Sequence, residues 1–357
     1  MEDTAMTERL SHERVSNAKR GFSTRIVPEA YIHAVTRDVA APQAGDLVLA
    51  RVDALGAHKQ LELPTSRKST LFPGDEVILA YGNRYAPDQF EAVVPDSLGA
   101  CHLAAAGGIA GQVLCRNATM AAPTAITPLG LIADETGVVV NLRRFGVTPA
   151  RRDLKIPCIA VTGGSMNAGK TTAAASIVHG FAKGGFKVGA AKITGTGAGN
   201  DYWHMWDAGA HAIADFTDAG FATTYKVAQD DLMDIADTLA AEMIARGCNM
   251  MVFEIADGLY QPETSWLIGS QALEHLVDAY VYAAESSASA AMGVAWLRKH
   301  NRQILGVSGL VTQSPLACRE TELSTGVACY TKEALASPDL ARQWAGDLTR
   351  RTRVRAA

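Results

Sequence analysis

The sequence predicts an α/β fold in which a mostly parallel sheet follows a smaller β-rich N-terminal domain. Three observations predict it. Residues 25–147 hold short apolar runs separated by Gly-Asp turns. From Ile156 onward, apolar runs alternate with Ala-rich stretches of helical periodicity. Between the first such run and the first such stretch stands Gly164-Ser-Met-Asn-Ala-Gly169-Lys170-Thr171, with the spacing G-x-x-x-x-G-K-[ST].

Residues 1–24 are polar, mixed in charge and without an apolar core, so they read as a flexible lead-in and not as a signal peptide. In the segment 25–150, residues 46–52 and 76–80 read as strands, each opened by a Gly-Asp turn at Gly45-Asp46 and Gly74-Asp75. Residues 130–142 add strand character around a turn at 134–137. Short strands with tight turns predict a small barrel or sandwich. The run Ala104-Ala-Ala-Gly-Gly-Ile-Ala-Gly111 reads as a tight packing point, because no phosphate-binding Lys or helix cap follows it. Residues 148–155 are polar and basic and carry Pro149, which places a domain boundary there.

The second domain, 151–345, reads as strands at 158–162, 187–192, 250–255, 279–284 and 304–311. Helices fall between them, notably 172–183, 230–246 and 288–300. Residues 346–357 form a basic tail, Arg350-Arg351-Thr-Arg353-Val-Arg355, read as a solvated end.

Strand, glycine loop and helix in this order describe a phosphate-binding loop. Its glycines let backbone N–H groups close around phosphate oxygens, and the helix N-terminus adds partial positive charge. The loop predicts nucleotide binding through Gly164, Asn167, Ala168, Gly169, Lys170, Thr171 and Thr172, with Lys170 on the β- and γ-phosphates and the Thr171 hydroxyl on Mg²⁺. A second element is the acidic strand end Met250-Met-Val-Phe-Glu254-Ile-Ala-Asp257. Strand C-termini in a parallel sheet converge on the ligand crevice, so Glu254 and Asp257 are metal candidates and Glu254 also a candidate to polarise a nucleophile.

A third element is Lys192-Ile-Thr194-Gly-Thr196-Gly-Ala-Gly199-Asn200-Asp201. Lys192 suits charge developing during phosphoryl transfer. Thr194, Thr196, Asn200, Asp201, Tyr202, His204 and Asp207 are candidate substrate ligands, drawn from a segment unusually aromatic for a chain with 6% aromatics. Thr312 and Gln313, ending the last buried strand, are candidates to read the nucleotide base.

Composition narrows the class. The 357 residues are 48% apolar and 20% charged with a net charge of −4, an ordinary globular balance without a nucleic-acid footprint. No apolar stretch is long enough to span a membrane. The six cysteines are scattered without a C-x-x-C pair, so neither zinc nor a redox dithiol is implied, and a reducing cytoplasm is expected.

The phosphate loop, Ala191-Lys192-Ile-Thr-Gly195 and Leu310-Val-Thr-Gln-Ser-Pro315 resemble dethiobiotin synthetase, of the deviant-Walker, dimerising class of phosphate-loop proteins. Asn200-Asp201-Tyr-Trp-His and Asp207-Ala-Gly-Ala210 are similar to a segment of the molybdopterin-guanine dinucleotide accessory protein. A family with a similar C-terminal phosphate-loop domain, some members amino-acid acyltransferases, is a third resemblance. These cover about residues 155–335. They imply ATP and Mg²⁺ as cofactors, roles for Lys170, Thr171, Lys192 and Glu254, and a homodimer with its site near the two-fold axis, for which the 288–300 helix is a candidate. Where an Asn is expected for the base, Thr312-Gln313 stands, and no N-K-x-D motif is present, so adenine and guanine both stay open.

The expectation is an enzyme, an ATP- and Mg²⁺-dependent small-molecule kinase or ligase whose phosphate-loop NTPase domain transfers a phosphoryl group to a small anionic substrate. Two alternatives stand beside it: a nucleotide-hydrolysing accessory or switch protein for cofactor biosynthesis, and a CoA-dependent acyltransferase. Neither nucleic acid nor membrane is expected as a partner.

Overall fold

A computed structural model describes residues 7–148 and 156–355, the last six by main chain only. The chain divides into two compact units. The first comprises the described part of Met1–Val147 together with Thr196–Asn200 and Phe216–Lys226. The second comprises the described part of Thr148–Gly195, Asp201–Asp215 and Val227–Ala357. Residues 1–6 of the expected lead-in, Pro149 with residues 150–155 of the expected boundary, and residues 356–357 of the tail lie outside the described residues.

The first unit is built on a closed circuit of strands. Thr124–Ala133 pairs antiparallel with Leu47–Ala54, which pairs antiparallel with Glu76–Tyr81. Glu76–Tyr81 pairs parallel with Ile109–Arg116, which pairs antiparallel with Cys101–Ala105. Cys101–Ala105 returns to Thr124–Ala133. Ring closure makes this a small barrel and removes the edge that an open sheet would expose.

Alternation along the strands supplies two cores. Val48, Ala50 and Val52 pack with Val77, Leu79, Tyr81, Leu103 and Ile126 on one face. Leu47 and Leu49 pack with Ile78, Ala80, Ile109 and Ile132 on the other.

The Gly107-Gly108 turn is a close-packing point. A Cβ on Gly107 would lie 1.9 Å from the carbonyl oxygen of Gly197, and Gly108 adopts φ +101°.

The polar composition of residues 7–24 concealed structure. Thr7–Arg9 pairs with Ala34–Thr36, and Ser11 caps the helix His12–Asn17. Leu10, Val15 and Phe22 are buried. Three apolar residues at irregular spacing carry no periodic signal, so this segment is part of the first unit and not a lead-in.

The second unit is a six-stranded, wholly parallel sheet. Its order is Ala212–Asp215, Val188–Lys192, Met250–Glu254, Cys158–Gly163, Ala279–Ala283, Ile304–Ser308. The strand Ala212–Asp215 is not in the sequence-based expectation. The expected 304–311 strand ends at Ser308 and gives way to a 3-10 turn, Leu310–Gln313.

Ile177, Val178 and Phe181 of the helix Lys170–Lys183 are buried against the sheet residues Ile159, Val161 and Val252. Each such side chain contributes about 1.5–3 kcal/mol. The final helix, Pro338–Arg355, buries Trp344, Ala345 and Leu348 in the same core, so it runs through much of the segment read as a tail.

Candidate functional site

Parallel strands aim all their C-termini at one edge of the sheet, and the chain crosses over around Cys158–Gly163, which opens a crevice there. The phosphate loop fills that position. Gly163 must be glycine, since a Cβ would meet the Ala283 carbonyl oxygen at 2.5 Å. Gly169 adopts φ +95° as it hands the loop to the helix Lys170–Lys183.

Two neighbouring turns lean on the loop. The Leu310 amide donates to the Ala168 carbonyl at 3.1 Å, and a Cβ on Gly309 would collide with that same oxygen at 2.2 Å. Gly258 packs against the Gly164 carbonyl, and Asp257 before it holds the left-handed φ of +72°, a conformation costly for a non-glycine residue.

Around Thr171 the charged groups converge. Its hydroxyl lies 2.8 Å from Glu254 Oε1 and 3.3 Å from Asp201 Oδ1. Asp201 forms an ion pair with Lys192, whose side chain is 11% exposed. Gly195 leaves room for that lysine, because a Cβ there would sit 2.8 Å from Lys192 Cε. Lys170, almost fully buried, donates to the Ser165 carbonyl.

The electrostatics follow from burial and pairing. Burial lowers the Lys170 pKa and outweighs the nearby carboxylates Glu254, Asp257 and Glu285. Burial also disfavours charge on Lys192, but Asp201 and Glu254 overcome it and raise that pKa. Asp201 is held below its usual range by Lys192 against the opposing effect of burial. Burial and the Asp201 charge push Glu254 up.

Among the described residues no group of three or more His, Cys, Asp or Glu is arranged to hold a metal ion alone. A divalent cation here would draw its remaining ligands from water or a bound nucleotide. The residues fit one on those terms. Thr171 and one oxygen of Glu254 are already in contact, and Glu254 Oε2 is buried without a hydrogen-bond partner. An orphaned carboxylate oxygen beside a hydroxyl is a donor set suited to Mg²⁺.

The remaining sequence candidates separate. Gly164, Ala168, Gly169, Lys170 and Thr171 form the loop and helix start, with Asn167 and Thr172 exposed beside them. Thr312 and Gln313 sit in the turn tied to Ala168.

Thr194 is buried and accepts from the Ala256 amide at 2.9 Å, so it ties two strand ends together and is not offered to a substrate. Thr196 and Asn200 belong to the first unit, where Thr196 bridges to Thr223. Tyr202 packs against the core of the second unit. His204 and Asp207 line an open groove of about 470 Å³ with Ser176, His179, Lys332 and Glu333. None of residues 164–171 lines that groove. Asp201 alone of the predicted substrate set joins the Thr171 cluster.

Sequence reasoning missed Glu285. Its carboxylate accepts from the Ser165 hydroxyl and, at 2.7 Å, from the Ser289 hydroxyl. The signal was available: Glu285 follows the buried strand Ala279–Ala283 by two residues, at the same edge of the sheet where Glu254 closes Met250–Glu254.

No family model matches the chain, and no curated protein matches it. Solved structures with some likeness include the signal recognition particle 54 kDa protein of Aeropyrum pernix K1 in complex with GDP. That match has 21% identity and a TM-score of 0.38, covering 59% of this chain and 53% of the other. The receptor FtsY of Elizabethkingia anophelis in complex with GDP has 13% identity, a TM-score of 0.37 and coverages of 53% and 62%. Chloroplast FtsY of Physcomitrella patens has 14% identity, a TM-score of 0.37 and coverages of 58% and 71%. The chain thus spans under two-thirds of the first two of these structures. Loop, sheet and helix together give the second unit an α/β fold with a phosphate-loop motif at the C-terminal edge of its parallel sheet. Among the described residues no helix is long and apolar enough to cross a membrane.

Proposed function

We propose that the chain binds a nucleoside triphosphate with Mg²⁺ and hydrolyses it, acting as a nucleotide-driven accessory or switch protein. The observation that carries this reading is Glu254. One of its oxygens holds Thr171, and the other is buried with no partner.

The roles follow from the geometry. Lys170 leaves the Ser165 carbonyl to meet phosphate oxygens. Lys192, kept cationic by Asp201, faces charge that develops on the transferred group. Thr171 and Glu254 would hold the metal, which when bound would neutralise phosphate charge and help orient the triphosphate. Glu254 would also accept a hydrogen bond from the attacking water.

The wider expectation, phosphoryl transfer to a small anionic molecule as the dethiobiotin synthetase resemblance implies, has less support. Thr194 is bonded to main chain, and His204 and Asp207 line a groove free of phosphate-loop residues. The Thr312 hydroxyl donates to the Gly309 carbonyl at 2.8 Å, which leaves the Gln313 amide to suit adenine or guanine, so ATP and GTP are both candidates. A cytoplasmic location and a homodimer belong to the same reading.

The test is phosphate release by the full chain from ATP and from GTP, with Mg²⁺ or with EDTA. Metal-dependent release without any added acceptor is expected. Release that appears only when a pool of small metabolites is added would return the reading to a kinase or ligase. Displacement of nucleotide by acetyl-CoA, with no phosphate released, would move it to acyl transfer.

A further inference from the structure

Glu285 has no part in holding metal or moving protons in the roles above, yet it stands against the loop. It follows the strand Ala279–Ala283 by two residues, at the crevice edge of the sheet. Its Oε2 lies 2.9 Å from where a side chain on Gly164 would begin. Ser165 is therefore held from two sides, its carbonyl by Lys170 and its hydroxyl by Glu285.

Burial opposes ionisation of Glu285, but the Ser165 and Ser289 hydroxyls and the Lys170 charge hold its pKa below the usual range. The carboxylate is thus an anion at the mouth of an anion-binding loop. Lys170 and Lys192 face Asp201, Glu254, Asp257 and Glu285, so the lysines do not balance the carboxylates before any phosphate arrives.

Resting on the nucleotide reading, we infer that Glu285 is a specificity-determining residue that excludes metal-free nucleotide and admits the magnesium complex. A half-buried carboxylate hydrogen-bonded to Ser165 of the loop repels a bare triphosphate held by that loop. A magnesium complex carries two fewer negative charges and meets less of it. The two serine hydroxyls fix the carboxylate in place, so it cannot swing away from the incoming phosphates.

The experiment is calorimetric titration of the full chain with ATP and with GTP, each in excess Mg²⁺ and in EDTA. The wild type, Glu285→Gln and Ser289→Ala are compared. The wild type is expected to lose about 100-fold or more in affinity when Mg²⁺ is removed. Glu285→Gln is expected to narrow that ratio to about tenfold, by tightening the metal-free complex alone. Ser289→Ala, which removes one of the two hydrogen bonds holding the carboxylate but no charge, is expected to narrow the ratio less than Glu285→Gln does.

A Glu285→Gln ratio equal to that of the wild type would overturn the proposal. So would a Glu285→Gln protein that loses affinity for the magnesium complex, since the carboxylate would then be contacting the ligand favourably. A wild type that binds neither nucleotide under either condition would overturn the nucleotide reading itself, a result distinct from both.

Discussion

Two clusters of buried polar groups, one in each unit, are satisfied in different ways. In the barrel unit, the buried hydroxyls of Thr124, Ser23 and Thr24 bond to main chain. Thr124 donates to the His58 carbonyl at 2.6 Å and accepts from the Gly56 amide at 2.9 Å. Ser23 and Thr24 donate to the carbonyls of Gly108 and Gly21. In the phosphate-loop unit, Lys192, Asp201, Thr171 and Glu254 bond to one another, and one oxygen of Glu254 is left over. Polar groups that satisfy the main chain hold a fold. Polar groups that satisfy each other incompletely are held ready for a ligand, at a cost to stability.

Substitutions in each unit test that contrast. The largest effect is expected for Lys170→Ala. Phosphate release should fall about 100-fold or more, while the melting temperature stays level or rises because a buried, desolvated cation is removed. Steady-state release and thermal melting read the two effects. Thr124→Val should do the reverse. It strands the Gly56 amide and the His58 carbonyl, and should cost about 1–3 kcal/mol in chemical unfolding while nucleotide affinity holds.

A smaller effect belongs to pH. Burial, with Arg84 nearby, lowers the His58 pKa from 6.5 to about 4. The folded state therefore keeps this ring neutral while the unfolded chain takes up a proton first. Stability from His58 is present above pH 6.5 and is lost as pH falls toward 4, by about 3 kcal/mol at most. His58→Gln should flatten that slope in unfolding curves measured across the window. An unchanged slope would remove His58 from the account.

Much of the second unit was legible because its signals are local. An apolar strand, a glycine loop and a helix face can each be read within about a dozen residues. Ala212–Asp215 was missed because four residues at a sheet edge are too few for a period. Leu47–Ala54 and Glu76–Tyr81 of the barrel were legible, but Cys101–Ala105, Ile109–Arg116 and the closure they complete were not. Closure depends on Glu76–Tyr81 lying parallel to Ile109–Arg116, a pairing that no turn between them specifies.

At the site, Lys170, Thr171 and Glu254 were placed by their motifs. Asp201 was assigned to substrate because its meeting with Lys192 depends on the path of residues 193–200. That path passes from the second unit into the first and back again, which spacing alone does not reveal. Glu285 was overlooked although it follows the same strand-end logic as Glu254.

Glu254→Gln tests the central claim most directly, read by phosphate release and by melting temperature on the same preparation. Gln keeps the shape and an oxygen for Thr171 but removes the buried charge. The expected result is a loss of metal-dependent release of about 100-fold with a melting temperature equal to or above the wild type. A protein that melts several degrees lower yet still releases phosphate at the wild-type rate would contradict it, and would place Glu254 with Thr124 among the groups that hold the fold.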